Sequence, residues 1–277
     1  MACNDVETAL ALESLRAPLE LEPLTSQEHY INDMRARYRC YFVEYDVNQG
    51  AAVMPKMFSD DFGHELGQIA TLVDSNDNRF QCLVEKMNAN VYLTRGWTAL
   101  RDFYNIRIGA WVVLIYAGSS EFGLIVQDRF LKVIPPPLFV PPMRFMVDMT
   151  TIPSYFINNV PGAMQNRSCR HDPHYLHLCH DKKLTYYDIS TGFLMLPYDG
   201  FGQYAFDEIT TSLKMVDDCG SAWNCDLIYV TFPFKHYRIG GEWSRIVAAR
   251  RLTVGRSIRC SAQAIGHSQT LYVMLRI

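Results

Sequence analysis

The sequence predicts a mainly β protein, built as two tandem barrel-like units of seven short strands, each with two short helices. Three observations predict it. Apolar and polar residues alternate in short runs. The aromatics, 13% of the 277 residues, sit beside Val, Ile and Leu in those runs. A set of motifs also recurs in the same order in the second half of the chain. Alternation with period two marks a half-buried strand, and aromatic and β-branched residues fit the pleated surface such a strand presents.

Residues 1–34 hold seven acids and one base, a net charge of −6. A helix-like run from Val6 to Arg16 ends at Pro18, and Thr25-Ser26-Gln27-Glu28 has the capping-box pattern of a second short helix. Both are too short to stand alone, so this stretch reads as an acidic arm. From Arg39 the pattern changes to alternation, with Tyr41, Val43, Tyr45 and Val47 on one strand face. Asn48-Gln49-Gly50 supplies a turn, Val53 to Pro55 a short extended piece, and Ser59-Asp60-Asp61 a helix start leading into Phe62 and Leu66. Strands are predicted at Gln68–Val73, Arg79–Glu85 and Val91–Thr94, with residues 74–78 turning between the first two. A helix follows Trp97 as far as Tyr104, then strands Ala110–Tyr116 and Phe122–Gln127.

Ile134-Pro135-Pro136-Pro137 and Val140-Pro141-Pro142 interrupt regular structure, because proline removes a donor and fixes φ. The predicted organisation is therefore an arm at 1–34, a first domain at 35–133, an irregular Pro/His-rich linker at 134–181 and a second domain at 182–277, with strands resuming at Leu184. The halves are collinear. Met54-Pro55 answers Leu196-Pro197 at an offset of 197 − 55 = 142, Arg95-Gly96-Trp97 answers Gly240-Gly241-Glu242-Trp243, and Asn105 to Gly109 answers Arg251 to Gly255 at 255 − 109 = 146.

Net charge is −3 and the pI near 6.2, which argues against a general nucleic-acid binder, since phosphate affinity comes from Lys and Arg. The acidity is concentrated in the arm: residues 35–135 hold eleven acids and eleven bases, and residues 182–277 hold eleven bases and eight acids. No apolar run approaches the ~18 residues of a membrane helix, and the first ten residues lack a signal-peptide layout, so a soluble intracellular protein without a membrane partner is expected. The eight cysteines are scattered without a C-x-x-C, which predicts reduced thiols rather than disulfides.

Met54-Pro55-Lys56-x-Phe58, then Tyr92-Leu93-Thr94-Arg95-Gly96-Trp97, then Ile108-Gly109 ahead of an apolar strand together resemble the plant B3 domain. Both halves depart from that family where an Asp follows the late glycine; here stand Ala110 and Arg256. The resemblance implies two B3-type open pseudobarrels, the second diverged, and a nuclear plant transcriptional regulator that binds double-stranded DNA without a cofactor. It also implies two arms that enter the major groove, mapping to Asn48–Lys56 and Glu85–Asn90. Gln49, Lys56, Lys86, Asn88 and Asn90 are the candidate DNA contacts, because Asn and Gln suit adenine edges and Lys suits guanine and phosphate; Arg95 is a candidate phosphate contact. Solvated turn residues of the same types are the bland alternative.

In the second half the arms map to Ser190-Thr191-Gly192 and to Phe232–His236 with Arg238, giving Thr191, Lys235, His236 and Arg238 as candidate contacts. These arms are more apolar, which favours protein contact or structural support over duplex reading. The competing reading of the whole chain is accordingly a protein-interaction or dimerisation module. Cys169, His171, His174, His177, Cys179 and His180 crowd potential zinc ligands into the linker, but their spacing differs from finger patterns, and no metal is assigned. Hydrolase, nucleotide-binding and metalloprotease motifs are missing, as is the acid-and-lysine core of a nuclease, so no enzymatic activity is expected.

Overall fold

The computed structural model describes residues 39–149, 178–262 and 268–275. The two helices expected in the arm lie outside the described residues, as do Cys169, His171, His174 and His177. The architecture is mainly β, an open, curled sheet with few helices. Among the described residues no helix is long and apolar enough to cross a membrane.

The first half contains β1 (Cys40–Tyr45), β2 (Ala52–Val53), α1 (Lys56–Phe62), β3 (Ile69–Val73), β4 (Arg79–Met87), β5 (Asn90–Leu93), α2 (Ala99–Tyr104), β6 (Ala110–Gly118), β7 (Glu121–Gln127) and β8 (Val133–Ile134). These bounds follow the predicted ones closely, except that α1 begins at Lys56, because Pro55 has a φ of −51° and stands at the helix cap. The ladder runs β1, β6, β7, β3, β4, β5, β2, antiparallel except for the parallel β3–β7 pair. Alternation is realised as read: Tyr41, Val43 and Tyr45 are buried and Phe42 is exposed. Phe58, sent inward by α1, meets Tyr41, Tyr116 and Phe122 at 5.0–5.5 Å between ring centroids, contacts that add about 0.5–1.5 kcal/mol each beyond buried area.

The second half contains β10 (Leu178–Lys183), α3 (Tyr186–Ser190), β11 (Leu194–Pro197), helical turns at Tyr198–Gly202 and Gln203–Ala205, β12 (Ser212–Asp217), β13 (Ser221–Val230), β14 (His236–Ile239), α4 (Trp243–Ala249), β15 (Ser257–Ala262) and β16 (Thr270–Leu275). Its ladder runs β10, β15, β16, β12, β13, β14, β11, with β12–β16 the parallel pair. This is the pairing order of the first half. Equivalent backbone positions share their conformations: Asn105 and Arg251 at φ 55° and 47°, Gly109 and Gly255 at 84° and 89°. The halves differ at α3, which stands where the first half has only a loop; Thr185 and Asp188 cap it reciprocally.

The expected linker needs two corrections. Residues 143–181 are not wholly irregular, because β9 (Arg144–Val147) pairs in parallel with Arg79–Phe80 of β4 and antiparallel with Ser221–Ala222 of β13. Strand structure resumes at Leu178 rather than Leu184. The proline segment is tied down by the 74–78 turn, where Asn76 and Asn78 donate to the Pro136 and Pro137 carbonyls. Phe145 of β9 stacks on Phe80 at 4.6 Å and meets Trp223 edge-on at 5.3 Å, so one apolar core runs through both halves.

Buried charge also joins the halves. Arg250, just past α4, has a side chain only 1% exposed and lies 2.8 Å from Asp102, 3.3 Å from Asp217 and 2.6 Å from Asp218. The Asp218 approach is a charge contact off hydrogen-bond alignment. Burial is the largest influence on both the Asp102 and Asp217 carboxyls. At Asp102 the Arg250 and Arg101 guanidiniums overturn it and hold the group below its usual range, whereas at Asp217 burial prevails and pushes the group up.

Candidate nucleic-acid interface

The first predicted arm is shaped by its own side chains. The Asp46 carboxylate accepts from the Asn48 backbone N–H at 2.8 Å, and Gln49 N–H returns to the Asp46 carbonyl at 3.2 Å. This Asx turn leaves the side chains of Asn48 and Gln49 exposed. The second arm is a tight hairpin: Met87 pairs with Asn90, and Asn88 and Ala89 stand at φ 51° and 58°. Two successive left-handed residues match the right-handed twist of the flanking strands, and Asn accepts that conformation better than most.

Lys56 connects the arms. From the first turn of α1 its Nζ donates to the Ala89 carbonyl at the hairpin tip, 3.0 Å away, and to Asp60 at 2.6 Å. Val91 N–H reaches Ser59 Oγ, and Met54 N–H reaches the Val91 carbonyl, fixing the hairpin base against α1. Beside this brace lies an open cleft of about 780 Å³, lined by β1, the first arm, β2, Lys56, Asn90 and Ile108-Gly109. Gln49, Lys56 and Asn90 of the predicted contacts line it together with Asn48, which the sequence placed in the arm without singling it out. The Asp46-x-Asn48 spacing is the signal that could have done so. Glu44 and Asp46 are the acids on the cleft wall, and among the described residues Lys56 is its single cationic side chain.

The remaining predicted residues fall elsewhere. Asn88 is exposed at the hairpin tip, outside the cleft wall. Lys86 is exposed, and its ammonium turns to the Leu66 carbonyl at 2.7 Å. Arg95 corrects the sequence expectation of a phosphate contact: it is only 9% exposed, donates to the Asp148 carbonyl at 2.9 Å and packs against Gly220 of the second half. It holds the halves together and does not face a groove. Glu85 lies near it; burial raises that carboxyl despite the Arg95 charge.

In the second half, Thr191 closes α3, its hydroxyl donating to the Tyr187 carbonyl. Arg238 donates to the Tyr187 phenol at 3.3 Å, its guanidinium 5.4 Å from the Phe193 ring. Lys235 folds over the Tyr198 ring at 5.0 Å. His236 is a correction: it is 5% exposed, with Nδ1 on the Phe234 carbonyl, and cannot reach a partner. What the second arm does present is Phe232, 85% exposed, and Phe234, 56% exposed. Of the linker cluster, Cys179 and His180 are neighbours on β10 and so point to opposite faces. Asp217, Asp218 and Cys219 bring ligand atoms within 4.8 Å of one another, but Arg250 already answers that charge.

No family model matches the chain. Two curated rice (Oryza sativa subsp. japonica) B3 domain-containing proteins are similar to it, one 28% identical over 75 residues and one 28% identical over 83. The matches cover 27% and 30% of this chain but only 7% and 17% of those relatives. Among solved structures, a hypothetical Arabidopsis thaliana protein aligns at 18% identity over 32% of this chain and 89% of its own, with a TM-score of 0.29. The Arabidopsis FUS3–DNA complex aligns at 19% identity over 35% of this chain and 95% of its own, with a TM-score of 0.28. The chain is thus similar, over a part of its length, to plant B3 domain-containing proteins, the family that its motifs resemble.

Proposed function

We propose that the chain binds double-stranded DNA in a sequence-dependent manner through its first half, as a transcriptional regulator in the plant nucleus. In this reading the halves are tandem seven-stranded pseudobarrels, and the 46–51 loop and the 87–90 hairpin are arms that enter the major groove. The observation that carries it is the Lys56 brace: one ammonium ties α1 to the hairpin tip while facing the cleft beside the first arm. The arms are thereby held at a fixed separation, as a groove of about 12 Å width requires. Gln49, Asn88 and Asn90 supply paired donors and acceptors for base edges, and Lys56 and Lys86 supply phosphate contacts. The similarity to B3 domain-containing proteins supports the same assignment.

Selection from randomised duplexes with the full chain tests it. One enriched motif, with binding that weakens as salt rises, is the expected result. Binding without sequence preference, or none, would sink the proposal. One observation favours a second reading, a protein-interaction module: the cleft wall carries Glu44 and Asp46, while Phe232 and Phe234 stand exposed on the second half. A chain that forms a complex of defined mass yet ignores every duplex would establish that alternative.

A further inference from the structure

The second half carries an aromatic cluster with no part in the proposed duplex contact. Tyr229 of β13 and Tyr237 of β14 oppose each other across the ladder, with ring centroids 5.2 Å apart. Tyr198, immediately after β11, stands 5.4 Å from the Tyr229 ring and 6.2 Å from the Tyr237 ring. Tyr237 is fully buried and packs behind the other two rings, backed in turn by Phe206 at 5.2 Å; Tyr198 and Tyr229 are half-buried and present the accessible ring surface. Glu208, exposed at the rim, accepts from the Tyr198 phenol at 3.4 Å. The site already holds a cation, for the Lys235 ammonium of the same chain sits 5.0 Å from the Tyr198 centroid.

Ring faces carry negative potential and a rim carboxylate adds to it, so the cluster attracts positive charge. Consistently, the Lys235 ammonium is held more basic than usual, first by its interaction with the Tyr229 phenol and then by Tyr198 and Glu208. Lys235 is nevertheless a weak occupant. It ends an exposed stretch, residues 231–235, so its departure uncovers only the ring face that it now covers. A bare ammonium must also shed bound water to meet apolar walls, which an alkylated ammonium does at lower cost.

We propose that Tyr198 and Tyr229, backed by the buried Tyr237 and rimmed by Glu208, form an open cage for alkylated ammonium groups, covered by Lys235 when no ligand is bound, and that a methylated lysine of a partner peptide is the ligand. The cage is independent of the DNA-binding reading, and failure of either leaves the other standing. A short neutral peptide carrying one trimethyl-lysine, the same peptide unmodified, and choline are titrated against the full chain by calorimetry. The methylated peptide binds and the unmodified one binds more weakly. Lys235→Ala removes the internal competitor and tightens binding by about 2–5-fold, the weight of an exposed cation–π contact. Tyr198→Ala abolishes binding, and Tyr198→Phe, which keeps the ring face, retains it. Choline weaker than the methylated peptide supports a peptide ligand; choline of equal affinity overturns that part. Equal affinity for both peptides, binding that survives Tyr198→Ala, or no binding by a folded Lys235→Ala chain would overturn the cage itself.

Discussion

The Arg250 guanidinium of the second half lies 2.8 Å from the Asp102 carboxylate of α2 in the first half. Asp217 and Asp218 crowd the same guanidinium, so this arginine is shared by three acids at the seam between the halves, with Arg101 also 3.1 Å from Asp102. Removing one partner of a buried ion cluster leaves the others uncompensated, which is far worse than never having had the cluster.

Arg250→Met should therefore destabilise the chain by about 3–5 kcal/mol. Denaturant unfolding followed by tryptophan fluorescence measures it, because Trp97 and Trp223 lie in different halves. A change below about 1 kcal/mol would mean that the seam relaxes around the loss.

The Asp102 carboxyl has its folded pKa held below the usual value. Its contribution to stability is fully present above the unfolded pKa, near 3.8, and is lost as pH falls through the lower folded value. Asp102→Asn should lower stability at neutral pH and flatten the acid limb of a plot of stability against pH below about 4. An acid limb as steep as in the unsubstituted chain would assign the dependence to other carboxyls.

Lys56→Ala and Lys86→Ala should each reduce the slope of log affinity against log salt by about 0.9 if each meets one phosphate. Gln49→Ala and Asn88→Ala should instead relax preference at individual bases, by about 1–3 kcal/mol per lost contact. Arg95→Ala should leave the salt slope unchanged and lower stability, since its buried guanidinium donates to the Asp148 backbone carbonyl inside the protein. A salt slope that falls with Arg95→Ala would return that residue to the interface.

Gly96 and Gly118 have nearly the same backbone, φ 92° and 94°, in very different surroundings. A Cβ on Gly96 would lie 2.0 Å from the Gln81 carbonyl oxygen, while one on Gly118 meets nothing within 4 Å. Gly118→Ala should cost about 1 kcal/mol of backbone strain, and Gly96→Ala more than about 3 kcal/mol, as thermal unfolding reads. Equal costs would show that the Gln81 strand yields freely.

Strand positions in the first half were legible because alternation such as Tyr41, Val43, Tyr45 states which face is buried. The repeat was legible because Gly109 and Gly255, with Asn105 and Arg251 before them, occupy backbone conformations that restrict residue choice. The fate of Arg95 was not, since only the packing of β13 and Gly220 against it decides that a long cationic side chain turns inward. The strand character of Arg144–Val147 was equally hidden: four residues after two prolines show little alternation, and the pairing that defines them comes from partners far along the chain. The tyrosine cluster was invisible because Tyr198, Tyr229 and Tyr237 meet only through ladder register.

Because β9 is hydrogen-bonded to both β4 and β13, the halves cannot be separated cleanly by cutting where the prolines begin. A fragment ending near residue 135 would leave Arg79–Phe80 of β4 without their β9 partners, paired on the β3 side alone, and bare the Phe80 ring that Phe145 now covers. An open, apolar sheet edge recruits other chains, and such a fragment would self-associate for reasons unrelated to its natural role. A fragment carried through Asp148 keeps that edge closed on the first half while leaving Val147 and Met146 as the exposed margin on the other side.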